Sequence, residues 1–123
     1  MPTTIPPTFL IWGASGWIAG HLTALLRQQG KNVKLTTARM EDQAAVRKAL
    51  DETNPTHVIN CAGKTGRPNI DWCEDHKMET METNVVGTLM LARECVQRGI
   101  HCTVLATGCE YRFAGRPKGE SWR

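Results

Sequence analysis

The sequence predicts an α/β fold: a doubly wound parallel sheet, built as βαβαβαβ with strand order 3-2-1-4 and stopping short of a full sheet. Three observations carry this prediction. Four short apolar runs (9–12, 33–36, 57–62 and 102–107) alternate with three longer stretches in which apolar residues recur every three or four positions. Most of the runs end at small or glycine residues, as strands do when they open into ligand-facing loops. The first run passes through Gly13 and Gly16 directly into a helical pattern, which reads as strand, tight turn, helix.

The elements follow in order. Residues 1–8 hold three prolines and read as a flexible arm. Phe9 to Trp12 form the first strand, after which Ile18, Leu22, Leu25 and Leu26 make a helical face expected to cover the sheet, ended at Gly30. Val33 to Thr36 form the second strand. The next helix starts near Glu41 and Asp42, acids suited to a helix N-terminus, and presents Ala45, Val46, Ala49 and Leu50 on one side until Asn54-Pro55. His57 to Ala62 form the third strand, and 64–69 is a loop. From Ile70 a long helix carries a stripe of Met78, Met81, Val85, Leu89, Ala92 and Val96, expected to be core or subunit contact. Gly99 ends it, and Cys102 to Thr107 form the fourth strand, which in so short a sheet keeps an unpaired edge. Residues 110–123 have no periodicity and are rich in Arg, Lys, Gly and Pro, so they read as a polar, disordered tail.

Composition narrows the classes of function. With 41% hydrophobic and 22% charged residues, the chain belongs with ordinary globular domains, and its length allows one domain with a modest core. The formal charge of +3 arises mostly in the last fourteen residues, so the body presents no basic stripe for nucleic acid. The five cysteines are odd in number and form no C-x-x-C pair, which points to thiols of a reducing compartment. No metal site is expected, because neither Cys73-x-x-His76 nor His57-x-x-x-Cys61 is completed by a second pair. The N-terminus lacks a basic and apolar leader pattern, and no apolar run reaches membrane length. The expected location is cytoplasmic.

The candidate site lies at the glycine turn. Residues without Cβ at 13 and 16 let the main chain approach a phosphate, and the helix beginning near Ser15 or Gly16 would present free N–H groups to a pyrophosphate, so a dinucleotide is the expected guest. Ala19 stands where a third glycine would complete the pattern. After the second strand, Thr36-Thr37-Ala38 supplies no acid for ribose hydroxyls, whereas Arg39 suits a 2′-phosphate. Asn60-Cys-Ala-Gly63 would bring a small-residue backbone beside the cofactor, or could be merely a tight strand exit.

With these features placed, the chain resembles the extended short-chain dehydrogenases/reductases and, within them, the N-terminal portion of the nucleotide-sugar 3,5-epimerase/4-reductases (rhamnose synthases) of plants and fungi. The carriers are Gly-Ala-Ser-Gly-Trp-Ile-Ala-Gly (13–20), Asn-Cys-Ala-Gly (60–63), Thr-Gly-Arg-Pro-Asn-Ile-Asp-Trp-Cys-Glu (65–74), Thr-Asn-Val-Val-Gly-Thr (83–88) and Ala-Thr-Gly-Cys (106–109). The resemblance implies a partial Rossmann-like NAD(P)-binding domain over 9–109. Its cofactor set would be Gly13, Ser15, Gly16, Trp17, Ile18, Arg39, Ala62 and Gly63, for NADP(H) in preference to NAD(H). Thr65, Arg67, Asn69 and Asn84 would shape the nucleotide-sugar pocket. Thr107 would help hold the 4-keto oxygen during reduction, and Cys109 would exchange the proton beside the ketone in epimerisation. The resemblance also implies a homodimer.

One departure is plain. The superfamily uses a Tyr-x-x-x-Lys pair, but the only tyrosine here is Tyr111 and Gly115 stands four residues on. The chain is therefore expected to be nearly inactive alone, as a truncated, mis-spliced or frame-shifted product, and to associate or aggregate through its open strand edge and apolar stripe. The alternative from another class is a non-catalytic NADP(H)-binding or interaction module.

Overall fold

The computed structural model describes residues 5–64, 66 and 71–106. Four strands, β1 (Thr8–Trp12), β2 (Asn32–Thr36), β3 (His57–Asn60) and β4 (His101–Val104), form one parallel sheet. Helix α1 (Trp17–Gln28) joins β1 to β2, and α2 (Gln43–Thr53) joins β2 to β3. Between β3 and β4 lie α3 (Trp72–Asp75), α4 (Lys77–Met81), a π-helical segment (Glu82–Gly87) and α5 (Thr88–Gln97). The expected doubly wound α/β class is what forms.

The strand order is 2-1-3-4, which corrects the expected 3-2-1-4. β3 lies against β1, with Phe9 opposite His57 and Trp12 opposite Asn60, instead of outside β2. The reason is polarity. β2 exposes Asn32 and Lys34, as an edge strand can, whereas β3 buries Val58 and Asn60 between two neighbours. The order also sets the layers. The chain steps one way from β1 to β2 and the opposite way from β2 to β3, so right-handed crossovers put α1 and α2 on opposite faces. The step from β3 to β4 continues in the second direction, which brings α5 to the same face as α2. Accordingly Leu10 and Trp12 share a core cluster with Val46 and Leu50 of α2 and Leu91 and Cys95 of α5, while Ile11, one residue out of step, is buried on the other face.

Two helical faces depart from the periodic reading. On α1 the buried positions are Ala19 and Thr23, and Ile18 and Leu25 are exposed. On the long helical stretch the expected stripe is turned outward: Met78, Met81, Val85, Leu89 and Val96 are exposed, and Thr83, Gly87, Leu91, Glu94 and Cys95 are buried. The core half of that expectation is therefore overturned. Two contacts hold the inward face. Gly87 packs so tightly on the loop after β2 that a Cβ there would lie 2.8 Å from Met40 Cβ. Glu94 is accepted into the interior because Arg98 Nη1 (2.5 Å), Arg47 Nε (3.1 Å) and Gln43 Nε2 (3.2 Å) all donate to its carboxylate. Those donors hold the Glu94 carboxyl down to about 2.

Candidate functional site

An open cleft of about 280 Å³ lies at the carboxyl ends of β1, β2 and β3. Its position follows from the strand order. Loops leaving β1 and β3 go to opposite faces of the sheet, and the crevice between them is where open α/β sheets hold ligands.

Each wall is built by local structure. On the β1 side, Gly13 has φ +76°, and Gly16 N–H donates to Gly13 carbonyl at 2.9 Å to close the turn. A Cβ on Gly13 would lie 2.7 Å from Ala62 N and 2.8 Å from Ala62 Cα, so only glycine allows the β1 turn and the β3 exit to touch. On the β3 side, Asn60 Oδ1 accepts from Ala62 N–H at 2.9 Å and turns the chain sharply after the strand. On the β2 side, Trp12 Nε1 donates to Ala38 carbonyl at 2.7 Å and Ala38 N–H donates to Thr36 Oγ1 at 3.1 Å, which draws the loop holding Arg39 over the sheet end.

Asn84, inside the π-helical segment, grips the next loop twice. Its Oδ1 accepts from Lys64 N–H at 2.7 Å and its Nδ2 donates to Lys64 carbonyl at 2.9 Å, holding the backbone at Lys64. Beyond this clamp, Lys64 Nζ stands 5.7 Å from the Trp72 ring, which stacks on His76 at 3.8 Å.

The structure thus gathers Gly13, Ser15, Gly16, Arg39, Ala62 and Gly63 on one cleft. Trp17 and Ile18 begin α1 beside it with exposed side chains outside its lining. Thr65, Arg67, Asn69, Thr107 and Cys109, and the expected tail 110–123, lie outside the described residues. The sequence reading did not single out three further lining residues, Glu41, Lys64 and Thr83. The start of α2 was expected near Glu41 and Asp42; Asp42 is the N-cap, its Oδ1 accepting from Ala45 N–H at 3.2 Å, and Glu41 is left on the cleft. Cys61 also lines the cleft. Burial pushes its thiol pKa up from the ordinary value.

The fit of a dinucleotide can be judged from α1. Its N-cap is Gly16, no side chain caps it, and its first turn holds no acid, in contrast to the Asp42-capped α2. A twelve-residue helix thus points an uncapped, positive end toward glycine-lined space, and a diphosphate suits that donor set. Among the described residues no group of three or more His, Cys, Asp or Glu could hold a metal ion, and no helix is long and apolar enough to cross a membrane.

A parallel sheet whose first turn brings a glycine against the third strand's exit, under an uncapped helix end, defines a Rossmann-like α/β domain. The chain belongs to the NAD dependent epimerase/dehydratase family, whose model matches residues 9–122. It is 45% identical over 112 residues to the bifunctional dTDP-4-dehydrorhamnose 3,5-epimerase/dTDP-4-dehydrorhamnose reductase of Arabidopsis thaliana, covering 90% of this chain and 37% of that protein. A trifunctional UDP-glucose 4,6-dehydratase/UDP-4-keto-6-deoxy-D-glucose 3,5-epimerase/UDP-4-keto-L-rhamnose-reductase of the same plant is 44% identical, with 90% and 17% covered. The crystal structure of the L780 UDP-rhamnose synthase of Acanthamoeba polyphaga mimivirus superposes with a TM-score of 0.82 at 33% identity, over 89% of this chain and 40% of that one. The resemblance read from the motifs is borne out, and the chain spans well under half the length of each of these relatives.

Proposed function

We propose that this chain is the N-terminal, cofactor-binding portion of an NADPH-dependent 3,5-epimerase/4-reductase acting on a UDP- or dTDP-4-keto-6-deoxy sugar, in the synthesis of L-rhamnose nucleotides. The observation that carries the reading is the switch-point cleft, where the uncapped end of α1, the Gly13–Ala62 contact and Arg39 face one space. Named relatives with these activities align with nine-tenths of the chain, which supports the sugar class.

In this reading Gly13, Ser15 and Gly16 take the pyrophosphate, Arg39 the adenosine 2′-phosphate, and the Ala62–Gly63 backbone lies along the adjoining ribose. The bound cofactor supplies a hydride. Asn84 sets the start of the substrate loop through its two bonds to Lys64. Thr107 would donate a hydrogen bond to the keto oxygen and Cys109 would move the proton on the neighbouring carbon. With Gly115 where the superfamily's lysine would follow Tyr111, turnover by this chain alone should be a trace at most.

Titration calorimetry with NADPH and NADH tests the reading. Binding is expected for both, tighter for NADPH. A chain that melts cooperatively yet binds neither dinucleotide refutes it. NADPH oxidation with a 4-keto-6-deoxy nucleotide sugar is the companion assay, and turnover far above a trace would show that the proton donor lies elsewhere.

A further inference from the structure

Residues 39–42 form a tight turn in which Asp42 N–H donates to Arg39 carbonyl at 3.2 Å. Between them Met40 is buried, at 1% exposure, and Gly87 presses on the turn so closely that a Cβ there would lie 3.3 Å from Glu41 N. The backbone of the turn is therefore held from below, and its side chains on either side of Met40, Arg39 and Glu41, both line the cleft. Arg39 Nε stands 3.8 Å from Glu41 Oε1, with the guanidinium side chain 69% exposed and the carboxylate side chain 30% exposed.

We infer that Glu41 is a specificity residue that opposes a phosphate at Arg39, so that the Arg39–Glu41 pair and not Arg39 alone sets the discrimination between phosphorylated and unphosphorylated dinucleotides. The inference rests on the cofactor reading above and deepens it. The exposed arginine has two possible anionic partners. One is a carboxylate fixed to the same turn, and the other is the 2′-phosphate of an incoming dinucleotide. A dianion drawn to Arg39 arrives within a few ångströms of the Glu41 carboxylate, where it meets repulsion and must also displace the existing ion pair. A dinucleotide with a free 2′-hydroxyl meets neither cost, because a carboxylate accepts a hydroxyl hydrogen bond. Glu41 thus narrows the preference that Arg39 alone would confer.

The other charged groups near this corner do not take over the role. Asp42 is engaged in capping α2, and Lys64 lies across the cleft at the β3 exit, close to Trp72.

The test is the NADPH to NADH affinity ratio of the chain, read by titration calorimetry, for wild type, Glu41→Gln and Glu41→Lys. Thermal melts are run alongside. Glu41→Gln is near-isosteric on a partly exposed side chain and should melt as wild type does. It is expected to tighten NADPH binding by roughly three- to tenfold at low salt while moving NADH by less than twofold, with a smaller gain at high salt. Glu41→Lys should widen the ratio further. If wild type binds NADPH and neither variant changes the ratio by more than twofold, Glu41 has no such role and the cofactor reading stands. A folded wild type that binds neither dinucleotide overturns both.

Discussion

Replacing Glu94 by Gln removes a negative charge from a site that the structure surrounds with donors. The carboxylate is shut away from solvent, and Arg98, Arg47 and Gln43 all bond to it, while Arg98 also reaches Asp51 at 3.2 Å. Its pKa is lowered from 4.5 to about 2, first by the Arg98 hydrogen bond, then by Gln43, against the opposing effect of burial. A depressed folded-state pKa means that the stabilisation is fully present above the unfolded value near 4.5 and is lost as pH falls through the folded value near 2. A shift of that size corresponds to an upper figure on the order of 3 kcal/mol, and because the Arg47 side chain is 51% exposed, screening reduces it to about 2 kcal/mol. Urea denaturation of wild type and Glu94→Gln from pH 7 to pH 2 should therefore show curves separated by about 2 kcal/mol at pH 7 that converge below pH 4.5. Parallel curves across that range would refute the reasoning, since Glu94 would then contribute no linkage of its own.

Two further outcomes follow from the cleft. Gly13→Ala forces a side chain onto φ +76° and against the Ala62 backbone, so it should cost at least about 2 kcal/mol in urea denaturation and abolish dinucleotide binding; a stable variant that still binds would mean the two loops can separate. Asn84→Ala removes both side-chain bonds to Lys64, worth about 1–2 kcal/mol together at a partly solvated site, and should speed exchange of the Lys64 amide roughly tenfold without altering the global melt by more than a few degrees.

The element types were legible because they rest on local periodicity. The short apolar run at 9–12 and the apolar face of Val46 and Leu50 correspond to the strand and helix that form, and Asn54 ends α2 in the left-handed conformation, φ 44°. The glycine turn was legible for the same reason, since its conformational demand is met by the residue itself. Strand order was less accessible. It depends on which edge of β1 the third strand takes, and the only local sign was Asn32 and Lys34 in β2, residues suited to an edge. The burial of Glu94 was not legible at all, because Gln43 and Arg47, two of the three donors that make it tolerable, sit about fifty positions earlier in the chain. Glu41 was assigned to the helix dipole because two adjacent acids preceded the periodic residues, and only the backbone shows that the second one is the cap.

The π-helical segment from Glu82 to Gly87 carries two contacts that reach opposite walls of the cleft. Asn84 must meet the Lys64 backbone on one side, and Gly87 must meet Met40 and Glu41 on another, three residues further on. A wider turn holds one residue more than an α-turn and so rotates everything before it by about 100° relative to α5. The Lys64 backbone and the Arg39–Glu41 turn, both on the cleft, are thereby tied to a single helical irregularity.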